Sequence, residues 1–379
     1  MRICLVYDCL FPHTVGGAER WYRSLAERLA ADGHEVTYLT LRQWDRGVDP
    51  GVNGVDVRVV GPRMRLYSGP GRRRVLPPLV FGAGVLWHLI RNGGRYDVVH
   101  TCSFPYFSLL AAALVRRRRY RLVVDWFEVW SRGYWRDYLG RVSGDVGWLV
   151  QRLCARLKQR AFCFSKLYAA RLRDEGLMGE ITILAGAYDG PQQARPGLNG
   201  EPLVVFAGRH IPEKCVPAIP PAILQARQRL PGLRATIVGD GPDRQEVIRL
   251  VGELGLDGVV EVPGFVATET VQELMGRAMC MLLPSRREGY GLVVIEAASC
   301  GTPSVVVAGP DNAAVELIAE GRNGFVASSV SPGALADAIV RVNDGGAELR
   351  RSTSDWFDAN ACRLGVASSL EAVAESYRG

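Results

Sequence analysis

The sequence predicts an α/β protein of two doubly wound parallel-sheet domains facing a central cleft. Three observations lead there. The chain has 379 residues, too many for one ordinary core and suited to two domains of about 150–200 residues. Short apolar runs alternate with amphipathic stretches almost throughout, the pattern of parallel strands covered by helices. Midway, residues 188–202 form a run rich in Gly, Pro and polar residues that reads as a linker. The expected division is a first domain over 1–187, the linker, and a second domain over 203–354. A C-terminal helical segment, 355–379, can pack back on the first domain.

Taken in order, the first domain's strands are expected at Arg2–Tyr7, Glu35–Thr40, Val55–Val60, Asp97–Thr101, Tyr120–Asp125 and Ala161–Phe164. The second domain restarts the alternation at Leu203–Ala207, Ala235–Val238, Val259–Val262, Met279–Leu283 and Ser304–Ala308. Ligands of such sheets bind beyond the carboxyl ends of the strands, so chemistry is sought in the loops there. The longest apolar stretch, Leu76 to Ile90, holds two prolines, two glycines and a histidine. It reads as a buried or interfacial helix, not a membrane span, which needs about 20 apolar residues. The opening Met1–Asp8 reads as a first strand, not a signal peptide, and implies a cytoplasmic protein.

The nine cysteines include no C-x-x-C pair and read as reduced core thiols. The net charge of +7 is uneven. Residues 1–200 carry 30 Lys and Arg against 17 Asp and Glu, while 201–379 carry 16 against 22. The basic half includes Arg72–Arg74 and Arg116–Arg119. Two readings stand: an arginine-rich solvated surface, or peripheral contact with anionic lipid. Nucleic acid is not expected, because no recognised binding module accompanies the charge.

Three motifs carry chemistry. The first, Phe11 to Arg20 with Gly16 and Gly17, follows the first strand. It is either a tight strand-to-helix turn or a loop presenting helix amides to an anion. The second is Gly208-Arg209-His-Ile-Pro-Glu-Lys214, at the end of the second domain's first strand. Arg209 and Lys214 can converge on a diphosphate, and fixed cations there favour the charge that develops when such a group leaves. The third runs from Pro284 through Glu288-Gly289-Tyr290-Gly291-Leu292 and Glu296 to Gly301-Thr-Pro303. A strand ends, a glycine-rich loop follows, and a helix begins. Glu288 lies in the loop and Glu296 about one turn into the helix, so the two carboxylates can meet different hydroxyl-bearing parts of one ligand.

That third run resembles the E-x7-E motif of the retaining glycosyltransferases of family four, which have the GT-B fold of two Rossmann-like domains. Gly208-Arg209 with Glu213-Lys214 is similar to their donor-phosphate motif, and Gly16-Gly17-Ala-Glu19 to their first phosphate-facing loop. Ile183–Asp189 is similar to the turn before their linker, and Asp311–Ile318 with Gly324-Phe-Val to their late helix. The resemblance spans nearly the whole chain. It implies that Arg209 and Lys214 bind the diphosphate of a UDP- or GDP-sugar and that Glu288 holds the sugar hydroxyls. Gly289 to Leu292 would give backbone amides, Glu296 would hold the ribose, and Phe265 would line the base. It implies no metal and no further cofactor, the nucleotide sugar being a co-substrate; the chain has no D-x-D.

Two departures stand out. Cys215 occupies the place after the motif lysine where the family commonly has glycine. Asp125 ends the strand where many members carry a histidine facing the reacting centre. Asp125 either serves the acceptor, with Glu128 beside it, or caps its own loop. His100, also after a strand, is a weaker candidate. Four of the eight tryptophans lie in 126–148, among them Trp126 and Trp130. Loop packing ranks first for these aromatics, ahead of sugar stacking or a membrane interface. The acidic residues among them favour a small cytoplasmic acceptor, while the arginines favour a lipid-linked one. A sugar-nucleotide epimerase of the same fold would need a base beside the donor sugar, and none is evident. A non-catalytic binder would be expected to have lost the Arg209–Lys214 pair.

Overall fold

The structure, a computed structural model, describes residues 1–378 except 15, 46, 69–71, 117–118 and 192–199. Most of the expected linker, and Arg117 and Arg118 of the second arginine cluster, therefore lie outside the described residues, as do the side chains of Arg72 and Arg73. Two compact units are present: Met1–Leu184 with Ser369–Gly379, and Ala185–Ser368.

In the first unit the chain runs β1 (Arg2–Val6), α1 (Gly17–Ala31), β2 (Glu35–Leu41), β3 (Val55–Gly61), α2 (Leu76–Asn92), β4 (Val98–Cys102) and α3 (Tyr106–Val115). It continues β5 (Arg121–Trp126), α4 (Arg132–Leu139), α5 (Arg141–Ala155), β6 (Arg160–Cys163), α6 (Lys166–Asp174) and β7 (Ile181–Ile183). The sheet is parallel, ordered β3-β2-β1-β4-β5-β6-β7. Central β1 and β4 are buried along nearly their whole length, as strands covered on both faces must be. Edge strand β3 instead alternates, with Asp56 and Arg58 outward. α1 buries Trp21, Tyr22, Leu25, Ala26 and Leu29, spaced three and four apart on one face. α2 lies so close to β3 that a Cβ on Gly84 would stand 1.9 Å from the Val60 carbonyl oxygen, which explains a glycine inside an otherwise apolar helix.

The second unit runs β8 (Glu201–Ala207), α7 (Ile219–Ala226), β9 (Arg234–Val238), α8 (Arg244–Glu253), β10 (Val260–Gly264), α9 (Thr268–Arg277) and β11 (Ala278–Leu283). Then follow β12 (Arg287–Glu288), α10 (Leu292–Ser299), β13 (Ser304–Val307), β14 (Asp311–Asn312), β15 (Gly324–Ala327) and α11 (Pro332–Leu364), and α12 (Val366–Ser376) returns the chain to the first unit from Ser369. Its main sheet is parallel, ordered β10-β9-β8-β11-β13-β15, and β12 pairs with β14 in a small separate ladder.

Three expectations are corrected. Gly324-Phe-Val, taken with a late helix, is the edge strand β15, while Ala313–Leu317 is a single 3-10 turn. Gly324 has φ 153°, and a Cβ there would meet the Ser304 carbonyl oxygen at 1.9 Å, so the glycine lets the strand seat against β13. The boundary at 354/355 is not a domain edge. α11 runs through it, broken only at Gly346 (φ 48°), because Trp356, Phe357, Ala361 and Leu364 are buried in the second unit's core. At the other boundary, the amides of Ala187, assigned to the first domain, and of Tyr188, assigned to the linker, donate to the Leu364 carbonyl, which ties both into the second unit.

Candidate functional site

In the second unit the loops after β8 and β11 come together. The loop after β8 rests against the one after β9: Gly208 N–H donates to the Val238 carbonyl at 3.1 Å, and His210 N–H to that of Asp240 at 2.9 Å. Such closeness requires Gly239, whose Cβ would stand 1.9 Å from the Gly208 oxygen. Burial holds the pKa of the imidazole of His210 below its ordinary value, so it favours the neutral form. A 3-10 turn, Pro212–Lys214, follows, and Cys215 then takes the left-handed conformation, φ 50° and ψ 36°. This is the backbone reason a glycine suits the place after the lysine.

The turn delivers Lys214 to Glu288. The ammonium lies 2.5 Å from Glu288 Oε1, which also accepts a hydrogen bond from the Ser285 hydroxyl at 2.7 Å. Glu288 is buried and Lys214 half-buried, so this is a charge-assisted contact largely out of water. The ammonium has three N–H donors, so pairing with one carboxylate leaves donors for an anionic ligand.

Further contacts at Ser285, Arg286 and Arg287 fix the Glu288 loop. Arg286 N–H donates to the Glu213 carbonyl at 2.9 Å, and the Arg287 guanidinium lies 3.4 Å from the Glu213 carboxylate. Asn312, fully buried, donates to the carbonyls of Ser285 at 2.9 Å and Val307 at 2.8 Å. Its own side-chain oxygen accepts from Ala314 N–H at 3.0 Å. Ser285 and Asn312 were not singled out from the sequence, and Glu213 was named within its motif without a role. Their partners are carbonyls and charges up to 74 positions away, which spacing does not reveal.

Gly291, at φ 96°, precedes α10, and a Cβ there would meet Ala314 Cβ at 2.6 Å. No side chain caps α10, so its first amides, with those of Gly289 to Leu292, are main-chain donors beside Glu288. Tyr290 is an anchor: its hydroxyl donates to the Ala185 carbonyl, and burial pushes its pKa well above the ordinary value. Glu296 is half-buried inside α10. Phe265, after β10, is 75% exposed, and Arg209 is exposed.

The remaining candidates lie in the first unit. Gly16, extended at φ −175°, precedes α1, and Gly17 is exposed at its first turn. The Glu19 carboxylate lies over Gly16, 2.3 Å from where a Cβ would stand, so an acidic group already occupies this helix start.

Asp125 is corrected from an acceptor-facing base to a core residue. It is fully buried; one carboxylate oxygen accepts from Trp21 Nε1 and the other lies beside His100 Nε2, both at 2.8 Å. His100 is equally buried, and its Nδ1 meets the Tyr377 hydroxyl. In the tautomer with its proton on Nε2, toward the Asp125 carboxylate, Nδ1 accepts from Tyr377. Burial, and then the Asp125 charge, hold the Tyr377 phenol well above its ordinary pKa, so it remains a donor.

Trp126 is likewise fully buried, donating to Gln159 at 2.9 Å. Trp130 Nε1 donates to Glu128 at 2.7 Å, and its ring packs against those of Phe104, Tyr134, Trp135 and Tyr138. Buried Gln151 ties this aromatic group together, bonding Trp130, Trp135 and Tyr106. Loop packing accounts for the tryptophan-rich segment.

Comparison with known proteins agrees with the fold and with the family that the sequence resembles. Residues 15–189 match the family model described as Glycosyltransferase Family 4, and residues 191–355 that described as Glycosyl transferases group 1. The chain is 32% identical over 184 residues to an alpha-D-kanosaminyltransferase of Streptomyces kanamyceticus, covering 48% of this chain and 47% of that protein. It is 28% identical over 363 residues to a D-inositol 3-phosphate glycosyltransferase of a Nocardioides species, covering 86% and 77%. The match thus spans about half the first relative's length and three quarters of the second's. Among solved structures, sucrose-phosphate synthase from Thermosynechococcus elongatus superposes with a TM-score of 0.80 at 19% identity, over 100% of this chain and 98% of that one. Anabaena HepE, solved with UDP and glucose, superposes with a TM-score of 0.73 at 19% identity, over the whole of both chains. At such identities these structures speak to the fold alone.

Proposed function

The chain belongs to the glycosyltransferases of family-four type with the GT-B fold, and from that we propose that it transfers a sugar, with retention, from a nucleoside-diphosphate donor to a nucleophile on its acceptor. The observation that carries this reading is the Lys214–Ser285–Glu288 cluster beside the uncapped start of α10. A fixed cation, an oriented carboxylate and main-chain donors stand where one sugar diphosphate would meet all three.

In this reading Arg209 and Lys214 bind the diphosphate. As the bond from the anomeric carbon to the phosphate oxygen breaks, charge grows on that oxygen, and the cations stabilise it more than the ground state. Glu288 accepts from the donor sugar's hydroxyls, held by Ser285 and Lys214. Glu296 accepts from the ribose, and Phe265 stacks on the base, uracil or guanine. The acceptor oxygen bonds to the anomeric carbon on the face that the phosphate leaves, and its proton passes to the departing phosphate. Neither an enzymic nucleophile nor a metal is required.

The acceptor is read as a small cytoplasmic molecule rich in hydroxyls, in line with the D-inositol 3-phosphate named for one relative. A second reading, a lipid-linked acceptor at the membrane surface, is favoured by the arginine-rich first half of the chain.

The test is a thermal-shift screen of UDP- and GDP-sugars in EDTA. Binding to the native state raises the melting temperature, by about 2.7 kcal/mol of stability at a hundredfold excess over Kd. One nucleotide class is expected to shift the protein and the other not. No shift with either, or a shift only with added divalent metal, contradicts the reading.

A further inference from the structure

Three neighbouring helices of the first unit, α2, α3 and α5, form one layer: α2 packs on α3, and α3 on α5. Their inner faces are ordinary core, with Phe81, Val85 and Leu89 of α2 buried. Their outer faces are not ordinary surface. α2 exposes Leu76, Leu79, Trp87 and Ile90, which at 100° per residue fall within an arc of about 80°. α5 exposes Val142, Val146, Leu149 and Leu153, spaced four, three and four apart, within about 60°. Leu114, 71% exposed, stands on α3 between them. Single exposed apolar residues are normal, but stripes aligned on adjacent helices mark an interaction face.

Charge decides the occupant. Residues 74–160, which contain this layer, hold fifteen Lys and Arg against five Asp and Glu. That imbalance exceeds the net +7 of the whole chain. One of these arginines, Arg91, stacks its guanidinium over the Trp87 ring. Two copies of so basic a segment, brought face to face, would repel one another. Among the described residues no helix is long and apolar enough to cross a membrane, so the stripes suit lying on a bilayer, not spanning it. Apolar side chains and a tryptophan flanked by arginines match the acyl–headgroup boundary of an anionic membrane. We propose that the outer face of the α2–α3–α5 layer docks the protein on anionic phospholipid. Docking would bring the enzyme to the lipid-linked acceptor of the second reading above, on which this consequence rests.

Sedimentation with vesicles of phosphatidylcholine alone, and of phosphatidylcholine mixed with phosphatidylglycerol, tests this. The full chain should sediment with the mixed vesicles at low salt, release at high salt, and remain in solution with phosphatidylcholine. Trp87→Ser with Leu149→Ser should weaken sedimentation more than ~10-fold, with the melting temperature unchanged because both side chains face outward. Three results overturn the proposal: no sedimentation with anionic vesicles; sedimentation that the double substitution does not weaken; or a dimer in solution that the double substitution dissociates, which would make this face a contact between copies. The assay contains no sugar nucleotide, so its outcome is separate from that of the donor screen.

Discussion

At the scale of single residues, Cys215 shows how a motif position follows from the backbone. Its left-handed conformation is one that glycine adopts freely and a residue with a Cβ does not. Cys215→Gly should therefore keep the turn that aims Lys214 at Glu288. It should leave stability unchanged or raise it by up to about 1 kcal/mol, since removing the strain outweighs the extra unfolded-state entropy. Urea unfolding measures this; a loss above about 1 kcal/mol would show that the Cys215 side chain contributes more than its strain costs. Lys214 and Glu288 were legible because charges in glycine-rich loops after apolar strands have few structural uses. Asn312 was not, because its work is to bridge two main-chain carbonyls from different loops. Asp125 was misread for a related reason: strand-end aspartates look alike in sequence whether they face solvent or, as here, Trp21 and His100.

At the scale of elements, strands with four or more buried apolar residues were read correctly to within a residue or two. The strands of the two main sheets that were missed, Ile181–Ile183 and Gly324–Ala327, are short edges whose identity depends on a neighbour, not on their own pattern. The C-terminal segment following α12 is the element with the clearest energetic signature. Tyr377 is fully buried in the first unit, meeting His100 through its hydroxyl, while its carbonyl accepts from Arg121. Tyr377→Phe should lower stability by about 1–2 kcal/mol, because His100 Nδ1 loses its hydrogen-bond partner in a dry site. Tyr377→Ala should cost about 3–5 kcal/mol by opening a cavity. Calorimetric unfolding distinguishes the two, and equal small effects would mean that the tail is not part of the first unit's core. Neither change should alter nucleotide affinity.

At the scale of the whole molecule, the two units divide the labour that the charge distribution suggests. The first carries the excess of arginine and the apolar helical layer. The second carries Arg209 and Lys214, the two glutamates and the small β12–β14 ladder that holds the Glu288 loop. The alternation of strands and helices made this two-unit organisation legible. The crossing of the chain back into the first unit at Ser369 was less so, because α11 continues through the expected boundary without a break in composition. The account's central claim is that the second unit binds a nucleoside diphosphate through Arg209 and Lys214. Isothermal titration of UDP and of GDP into the wild type and into Arg209→Ala with Lys214→Ala tests it most directly. One of the two nucleotides should bind the wild type, and the double variant should bind it at least ~10-fold more weakly, each lost charge-assisted hydrogen bond being worth about 1.5–3 kcal/mol. Undiminished binding by a folded double variant, or no binding of either nucleotide by the wild type, would contradict the account.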